Sequence, residues 1–174
     1  MVESCRKGDH AAFKVLLTRY HRPIYNAAYR VLGNAEDARD ITQTVFLKII
    51  ERLHEYDPQH KFFSWIYRIA VNESINMRRD HRREVPLDDE AELPGPENSG
   101  PEAQTSDAQI SDRIQRALMS MKIEDRVVLT LRHFSDCSYR DIGEILGLEE
   151  KTVKSRIFEA RQRLSEMLKD LRTN

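Results

Sequence analysis

Cysteine is nearly missing from this chain of 174 residues: Cys5 and Cys137 are too few and too far apart for a disulfide framework or a paired zinc motif. Long uncharged runs are missing as well. No stretch free of Asp, Glu, Lys and Arg exceeds seven residues, as in Ile41 to Leu47, whereas a membrane span needs about 20 apolar residues and a signal peptide about 7 to 15 behind a basic start. Together these absences exclude a secreted scaffold and a membrane protein, so the expected setting is cytoplasmic and reducing, with no direct membrane insertion. P-loop, HExxH and GxSxG motifs are also absent, so neither an enzyme nor a bound cofactor is expected. Of the six histidines, His133 lies four residues from Cys137, but two ligands fall short of the usual four-ligand structural zinc site.

What the chain does have is uneven charge. The formal net charge is -1, yet residues 1–83 carry 15 basic and 10 acidic side chains, residues 84–112 nine acidic and no basic ones, and residues 113–174 carry 13 and 10. Two mildly basic ends around an acidic middle suit two surfaces for a polyanion, although two solvated helical domains and a polar linker account for the same numbers. Glu84 to Ala108 holds four of the six prolines, two of the six glycines and no aromatic residue. Such a segment cannot bury a core. As a flexible coil it spans roughly 27 Å root-mean-square, and extended it reaches on the order of 80 Å, so the two ends can work at separated sites.

Strand signals are weak and helical periodicity is strong at both ends, which predicts an all-α chain of two small helical domains. In the first, helices are expected from about Asp9 to Tyr20, Pro23 to Leu32, Asn34 to His54 and Phe62 to Arg82, with Pro23 at a start or kink, Gly33 at an end and Asn34 as a cap. On a helical wheel the third puts Ala38, Ile41, Val45, Ile49 and Leu53 on a core side. Opposite them Glu36, Asp40, Gln43 and Leu47 fall within about 60°, with Phe46 at the border. An apolar residue among carboxylates suits docking onto a partner helix with basic residues, while a solvated face is the plain alternative.

The fourth helix carries the densest aromatic and basic region, from Phe62, Phe63, Trp65, Tyr67 and Arg68 to Arg78, Arg79, Arg82 and Arg83. Phe62, Phe63, Ile66, Ala70 and Met77 make its apolar side. Trp65, Arg68, Asn72, Asn76 and Arg79 gather within about 80° on the opposite edge. Guanidinium groups meet phosphates, Asn pairs with base edges and an indole stacks on an unpaired base, although Trp65 as a simple core aromatic remains open.

The other end holds a more specific pattern. Ser138 followed by Asp141 reads as a helix start close to a capping box, and the helix Tyr139 to Leu146 ends at Gly147. A second helix, Leu148 to Leu171, has apolar steps at Val153, Ile157, Ala160, Leu164, Leu168 and Leu171. Lys151, Lys154, Ser155, Phe158, Glu159 and Gln162 are left mainly outward. This is a helix-turn-helix, whose second helix suits the major groove.

With Gly8-Asp9 through Phe13 and Tyr20, Asp40-Ile-Thr-Gln43-Thr-Val-Phe46, Phe63-Ser-Trp65-Ile-Tyr67-Arg68-Ile-Ala-Val-Asn72, and Ser138-Tyr139 through Thr152-Val153-Lys154-Ser155-Arg156 in this order, the chain resembles a bacterial extracytoplasmic-function (group 4) sigma factor of the sigma-70 family over nearly its whole length. The resemblance implies a sigma-2 domain at 1–83, an acidic linker at 84–108 that threads the polymerase channels, and a sigma-4 helix-turn-helix domain at 109–174. It also implies an alternative sigma factor that binds core RNA polymerase, directs promoter recognition and melting at a specific regulon, and is controlled by an anti-sigma factor. Glu36, Asp37, Asp40, Gln43, Phe46 and Leu47 would then dock on the beta-prime clamp helices, and the second domain would meet the beta flap. Lys61, Phe62, Trp65, Arg68, Asn72, Asn76 and Arg79 would hold the melted minus-ten strand, with Gln59 to Lys61 near a flipped base. Lys151, Thr152, Lys154, Ser155, Phe158, Glu159 and Gln162 would face the minus-thirty-five element.

Two positions depart from the family pattern. Thr44 stands where an acidic residue is usual, and Glu159 where some relatives carry Arg. A carboxylate there repels phosphate but accepts from cytosine, or else it pairs with Arg163 along the helix. The competing classes are a dimeric helix-turn-helix repressor or activator, which would take a palindromic site, and a metal-dependent nuclease built on Glu36, Asp37 and Asp40.

Overall fold

The computed structural model describes the backbone of residues 1–84 and 106–173, and the side chains of 1–81 and 109–169. The acidic segment expected at 84–108 lies almost wholly outside these residues, as do the side chains of Arg82, Arg83 and Leu171. Within them the elements are α1 (Val2–Arg6), α2 (His10–Leu32), α3 (Ala35–Arg52), a 3-10 turn (Leu53–Glu55), α4 (Phe62–Glu84), α5 (Ser106–Met119), α6 (Ile123–His133), α7 (Tyr139–Leu146) and α8 (Glu150–Thr173). No strand occurs among the described residues. The all-α reading therefore holds, with two corrections to the helix list.

The first concerns Pro23, which interrupts nothing. Tyr20, Ile24, Ala27, Ala28 and Val31 are buried on one side of a single helix that runs through it. Pro23 itself is exposed, so the Arg19 carbonyl that loses its N–H partner faces water, and the continuous apolar stripe outweighs the missing bond. The second is that α5 and α6 precede the helix-turn-helix, with Leu118, Val127, Val128 and Leu131 supplying their buried faces.

Local chemistry sets the ends. Asp9 accepts from the N–H groups of Ala11 and Ala12 at 2.9 and 3.2 Å, and Asn34 accepts from Glu36 and Asp37 at 2.8 and 3.0 Å. Between α2 and α3, Gly33 takes the left-handed conformation at φ 79° and donates to the Tyr29 carbonyl at 2.8 Å.

Two groups of helices, α1–α4 and α5–α8, meet along α2 and α4. The first is centred on Leu16, Ile24, Val45, Ile49 and Ile66, the second on Leu118, Leu129, Ile142, Val153 and Ile157, all buried. Small residues let the two approach: Ala27, Ala28, Ala70 and Ser74 line one side of the junction, and Val127, Thr130 and Leu131 of α6 the other. Polar groups cross the seam. Arg126 is buried and donates to the carbonyls of Met119, Met121 and Val31 at 2.7, 3.0 and 3.1 Å. Arg30 donates to Gln115 and Ser111 at 3.0 Å each, and its guanidinium lies 4.6 Å from the centre of the Phe134 ring. At Gly33 a Cβ would overlap the Met119 sulfur. Separated working positions were the expectation for the two ends; in this structure they share one apolar core.

Candidate nucleic-acid and partner interfaces

The helix-turn-helix is built by α7 and α8. Ser138 Oγ accepts from Asp141 N at 3.1 Å while Asp141 Oδ2 accepts from Ser138 N at 3.1 Å, a complete capping box. Gly143 permits the tight turn, since a Cβ there would sit 2.7 Å from the Leu148 carbonyl oxygen. Val153, Ile157 and Ala160 of α8 pack inward. Lys151, Lys154, Ser155, Phe158, Glu159 and Gln162 are exposed and Thr152 is half-buried, so the face read from the periodicity is open.

Phe158 is 62% exposed, an apolar group on a polar helix face where a thymine methyl would find contact. Lys154 lies 3.0 Å from Glu150 and 5.7 Å from the centre of the Tyr139 ring. Glu159 is not free-standing. Arg163 donates to it at 3.1 Å and to Asp125 at 2.7 Å, which is the intrahelical pairing that sequence left as one of two options.

On α4, Arg68, Asn72, Asn76 and Arg79 are exposed at helical spacing, and Arg79 donates to Asn76 Oδ1 at 2.7 Å. The aromatic members of the expected set behave differently. Phe62 is buried against Tyr20 and Tyr56, with ring centres 5.9 and 5.0 Å away. Trp65 is half-buried against Tyr56 and Phe62 at 5.7 and 5.6 Å. Phe62 thus supports the edge from below and offers no surface to a ligand here. The loop before α4 is organised by Asp57, whose side chain accepts from Gln59 N at 2.9 Å, and by Tyr56, whose hydroxyl donates to the His60 carbonyl at 2.7 Å.

Two cations of this edge are already engaged. Lys61 Nζ sits 2.6 Å from Asp141 Oδ1 of α7, and Arg68 donates to the Glu144 carbonyl of the same helix. Burial pushes the Asp141 carboxyl up, but hydrogen bonds from Lys61 and Ser138 outweigh it and hold the group below the usual carboxylate range. The same bond holds the Lys61 ammonium above its ordinary value.

On α3, Glu36, Asp40, Gln43 and Leu47 are exposed, Leu47 at 60%. Asp37 is half-buried with His81 Nδ1 3.9 Å away. Phe46 departs from the expected stripe: it is buried and stacks on His21 at 6.2 Å between ring centres. The bordering position on the wheel turned inward because α2 lies on that side. Ile50, 57% exposed, extends the stripe from Leu47 and was missed by sequence reasoning, although its i+3 spacing from Leu47 is the signal that finds it.

A further surface was not foreseen. Between α5, α6 and α8 runs a groove of about 560 Å³, floored by Ile114, Leu129, Leu164 and Leu168 and edged by His133, Arg161 and Lys169. Arg161 Nε donates to His133 at 3.0 Å, and burial followed by the nearby Arg161 and Arg132 charges pulls the imidazole below its ordinary pKa. The helices forming two of its walls were not placed from sequence, so the groove had no outline there.

Among the described residues no group of three or more His, Cys, Asp or Glu side chains is placed to hold a metal ion, and no helix is long and apolar enough to cross a membrane. Cys137 is buried, its thiol pushed up to about 12 by burial, far from a reactive thiolate.

Comparison with known proteins agrees along the whole chain. The family model for Sigma-70 region 2 matches residues 16–84, and that for Sigma-70, region 4 matches residues 111–164. The chain is 33% identical to the ECF RNA polymerase sigma factor SigW of Bacillus subtilis over 98% of its own length and 96% of that protein. It is 29% identical to the ECF RNA polymerase sigma-E factor of Escherichia coli, covering 98% and 94%. Its fold is similar to that of CnrH, solved in complex with the cytosolic domain of CnrY, with a TM-score of 0.75 at 23% identity over 97% of this chain and 95% of that one. It is similar also to the sigma factor RpoE of Bartonella quintana, solved with the anti-sigma factor NepR, with a TM-score of 0.70 at 24% identity over 91% and 97%.

Proposed function

The chain belongs to the sigma-70 family as an extracytoplasmic-function sigma factor, and from that premise we propose how its surfaces divide the work of initiation. As an alternative sigma factor it is a transcription initiation factor and not an enzyme; the chemistry of RNA synthesis belongs to the polymerase. The α3 stripe of Glu36, Asp40, Gln43, Leu47 and Ile50 docks on the beta-prime clamp helices of core RNA polymerase, with Asp37 at its margin. The carboxylates steer basic residues of the partner while Leu47 and Ile50 lose their water. Phe46 backs this stripe from inside.

The α4 edge of Lys61, Trp65, Arg68, Asn72, Asn76 and Arg79 holds the melted minus-ten strand, with Phe62 stacked beneath Trp65. Cations neutralise phosphates, the amides meet base edges and Trp65 offers a stacking surface. The α8 face of Lys151, Thr152, Lys154, Ser155, Phe158 and Gln162 enters the major groove at the minus-thirty-five element. Glu159, tied to Arg163, sits at the border of that face. The groove beside α8 takes an amphipathic helix with acidic flanks, the chemistry required of the beta flap or of an anti-sigma factor.

The observation that carries this reading is that one chain exposes an acidic and apolar face on α3 and a separate basic face on a capped helix-turn-helix. A repressor needs only the second. Size exclusion with core RNA polymerase tests it: the wild type should comigrate as one copy, and an Asp40→Ala, Leu47→Ala double variant should elute largely apart. A wild type that elutes alone as a dimer would sink the docking assignment.

A further inference from the structure

Arg163 makes one bond more than an intrahelical pair needs. Its Nη1 donates to Asp125 of α6 at 2.7 Å, and its Nη2 donates to Glu159 Oε2, one turn back on α8, at 3.1 Å. The two carboxylates are not equal partners. Asp125 lies in the first turn of α6 with its side chain 13% exposed, where the helix N-terminus favours negative charge, while the Glu159 side chain is 58% exposed. Asp125, ahead of Glu159, also holds the Arg163 guanidinium above its ordinary value. The arginine is therefore fixed from α6, and Glu159 is held by what remains of the fork.

An arginine serving Glu159 alone could give both oxygens of that carboxylate a donor. Here Asp125 takes one arm, so Glu159 Oε1 has no hydrogen-bond partner among the described residues. The free oxygen belongs to a carboxylate whose direction is set. Glu159 also lines a recess of about 570 Å³ together with Tyr139, Lys154, Ser155 and Phe158, on the open side of the helix-turn-helix.

An acceptor with no donor beside it is selective among base edges. Guanine and thymine turn acceptors toward the major groove, and adenine sets its N7 acceptor beside its amino group, whereas cytosine offers its N4 amino group alone. The pairing with Arg163 also offsets part of the repulsion between the carboxylate and nearby phosphates.

We propose that Glu159 reads a cytosine of the minus-thirty-five element through Oε1, and that Asp125 and Arg163 are positioning residues that aim it. This rests on the assignment of the α8 face made above and adds one base to its specificity. The intrahelical pair and the base contact are then not alternatives: the first orients the carboxylate for the second.

The test is selection of promoter duplexes, randomised across the minus-thirty-five element, by the full chain assembled with core polymerase. The wild type should enrich cytosine at one position by on the order of tenfold over each other base. Glu159→Gln, which offers a donor and an acceptor side by side, should move the preference at that position toward adenine and leave the other positions alone. Asp125→Asn releases the second arm of Arg163 to Glu159 and should lower the cytosine preference several-fold at the same position, where a purely structural part would weaken binding evenly over all sequences. Arg163→Met, a change at an exposed side chain, should do the same, and it decides the matter if Asp125→Asn fails to fold. A cytosine preference that survives the loss of Arg163 in full overturns the positioning roles. Phe158→Ala is the control on the underlying assignment. If it alters the selected sequence while Glu159→Gln leaves the wild-type preferences, Glu159 only braces its helix and the cytosine reading is overturned. If neither variant changes the selection, the minus-thirty-five assignment itself has failed.

Discussion

The α4 edge and the α8 face carry the same kinds of residues, and the structure treats them in opposite ways. On α8, Lys154 pairs with Glu150 of its own helix beside an exposed Phe158, so its partners are local to the helix-turn-helix. At the α4 edge, Lys61 and Arg68 are held by the other half of the molecule, Phe62 is packed into the core and Trp65 is half-buried against it. Duplex DNA offers its groove ready-made, so a rigid open helix suffices to read it. A melted strand exists only after base pairs have been broken, and a surface that binds it strongly at all times would capture unrelated single strands through phosphate contacts alone.

The largest test of this comparison concerns the cores beneath the two surfaces. Ile66→Ala under the α4 edge and Ile157→Ala under the α8 face each remove a side chain at most 1% exposed, and each should cost about 2–5 kcal/mol in chemical denaturation. Because the helices share one core, both should shift a single unfolding transition; two separate transitions would break the coupling between the regions. Next in size is Ser138→Ala, which removes half of the capping box and should lower stability by about 1 kcal/mol. It should also loosen the Lys61 contact, because Ser138 helps to place Asp141; hydrogen exchange at α7 reads both.

A smaller effect separates the cations themselves. Lys154→Ala should reduce the salt dependence of duplex binding by the free chain by about one counterion, whereas Lys61→Ala should leave it unchanged. Equal slopes for the two variants would remove the distinction between an open and an occupied surface. The last effect is silent at neutral pH. Burial, opposed by the hydrogen bond to Ser135, pushes the Tyr67 phenol up to about 12. Since the folded form holds its proton more tightly than the unfolded chain, the associated stability is complete below about pH 10 and is lost as the pH rises from there toward about 12. Ultraviolet titration should show Tyr67 ionising last, after Tyr29 and Tyr56, whose phenols burial also pushes up.

Much of this was readable before any coordinates. Asn34, Gly33, Ser138 and Gly147 act through their immediate neighbours, so the end of α2, the start of α3 and both ends of α7 followed from local chemistry. The buried side of α3 followed from periodicity, as Ala38, Ile41, Val45, Ile49 and Leu53 are all inward. Pro23 misled because a local rule was set against a tertiary one, and a buried stripe on both sides of it kept α2 whole. Phe46 and Phe62 misled for a related reason: a wheel says which residues share a side but not where the neighbouring helix lies. The contact between α4 and α7 spans about 80 residues of sequence, and no window of local pattern contains both partners.

Arg126 marks where such a molecule would come apart. Among its main-chain acceptors, Met119 and Met121 belong to the same helical group as the arginine, and Val31 lies across the seam. A displacement along the seam would give up the bond to Val31, while the bonds to Met119 and Met121 stay on the arginine's own side. The turn between α5 and α6 is thus braced from within its own group by a buried guanidinium that also reaches the last turn of α2.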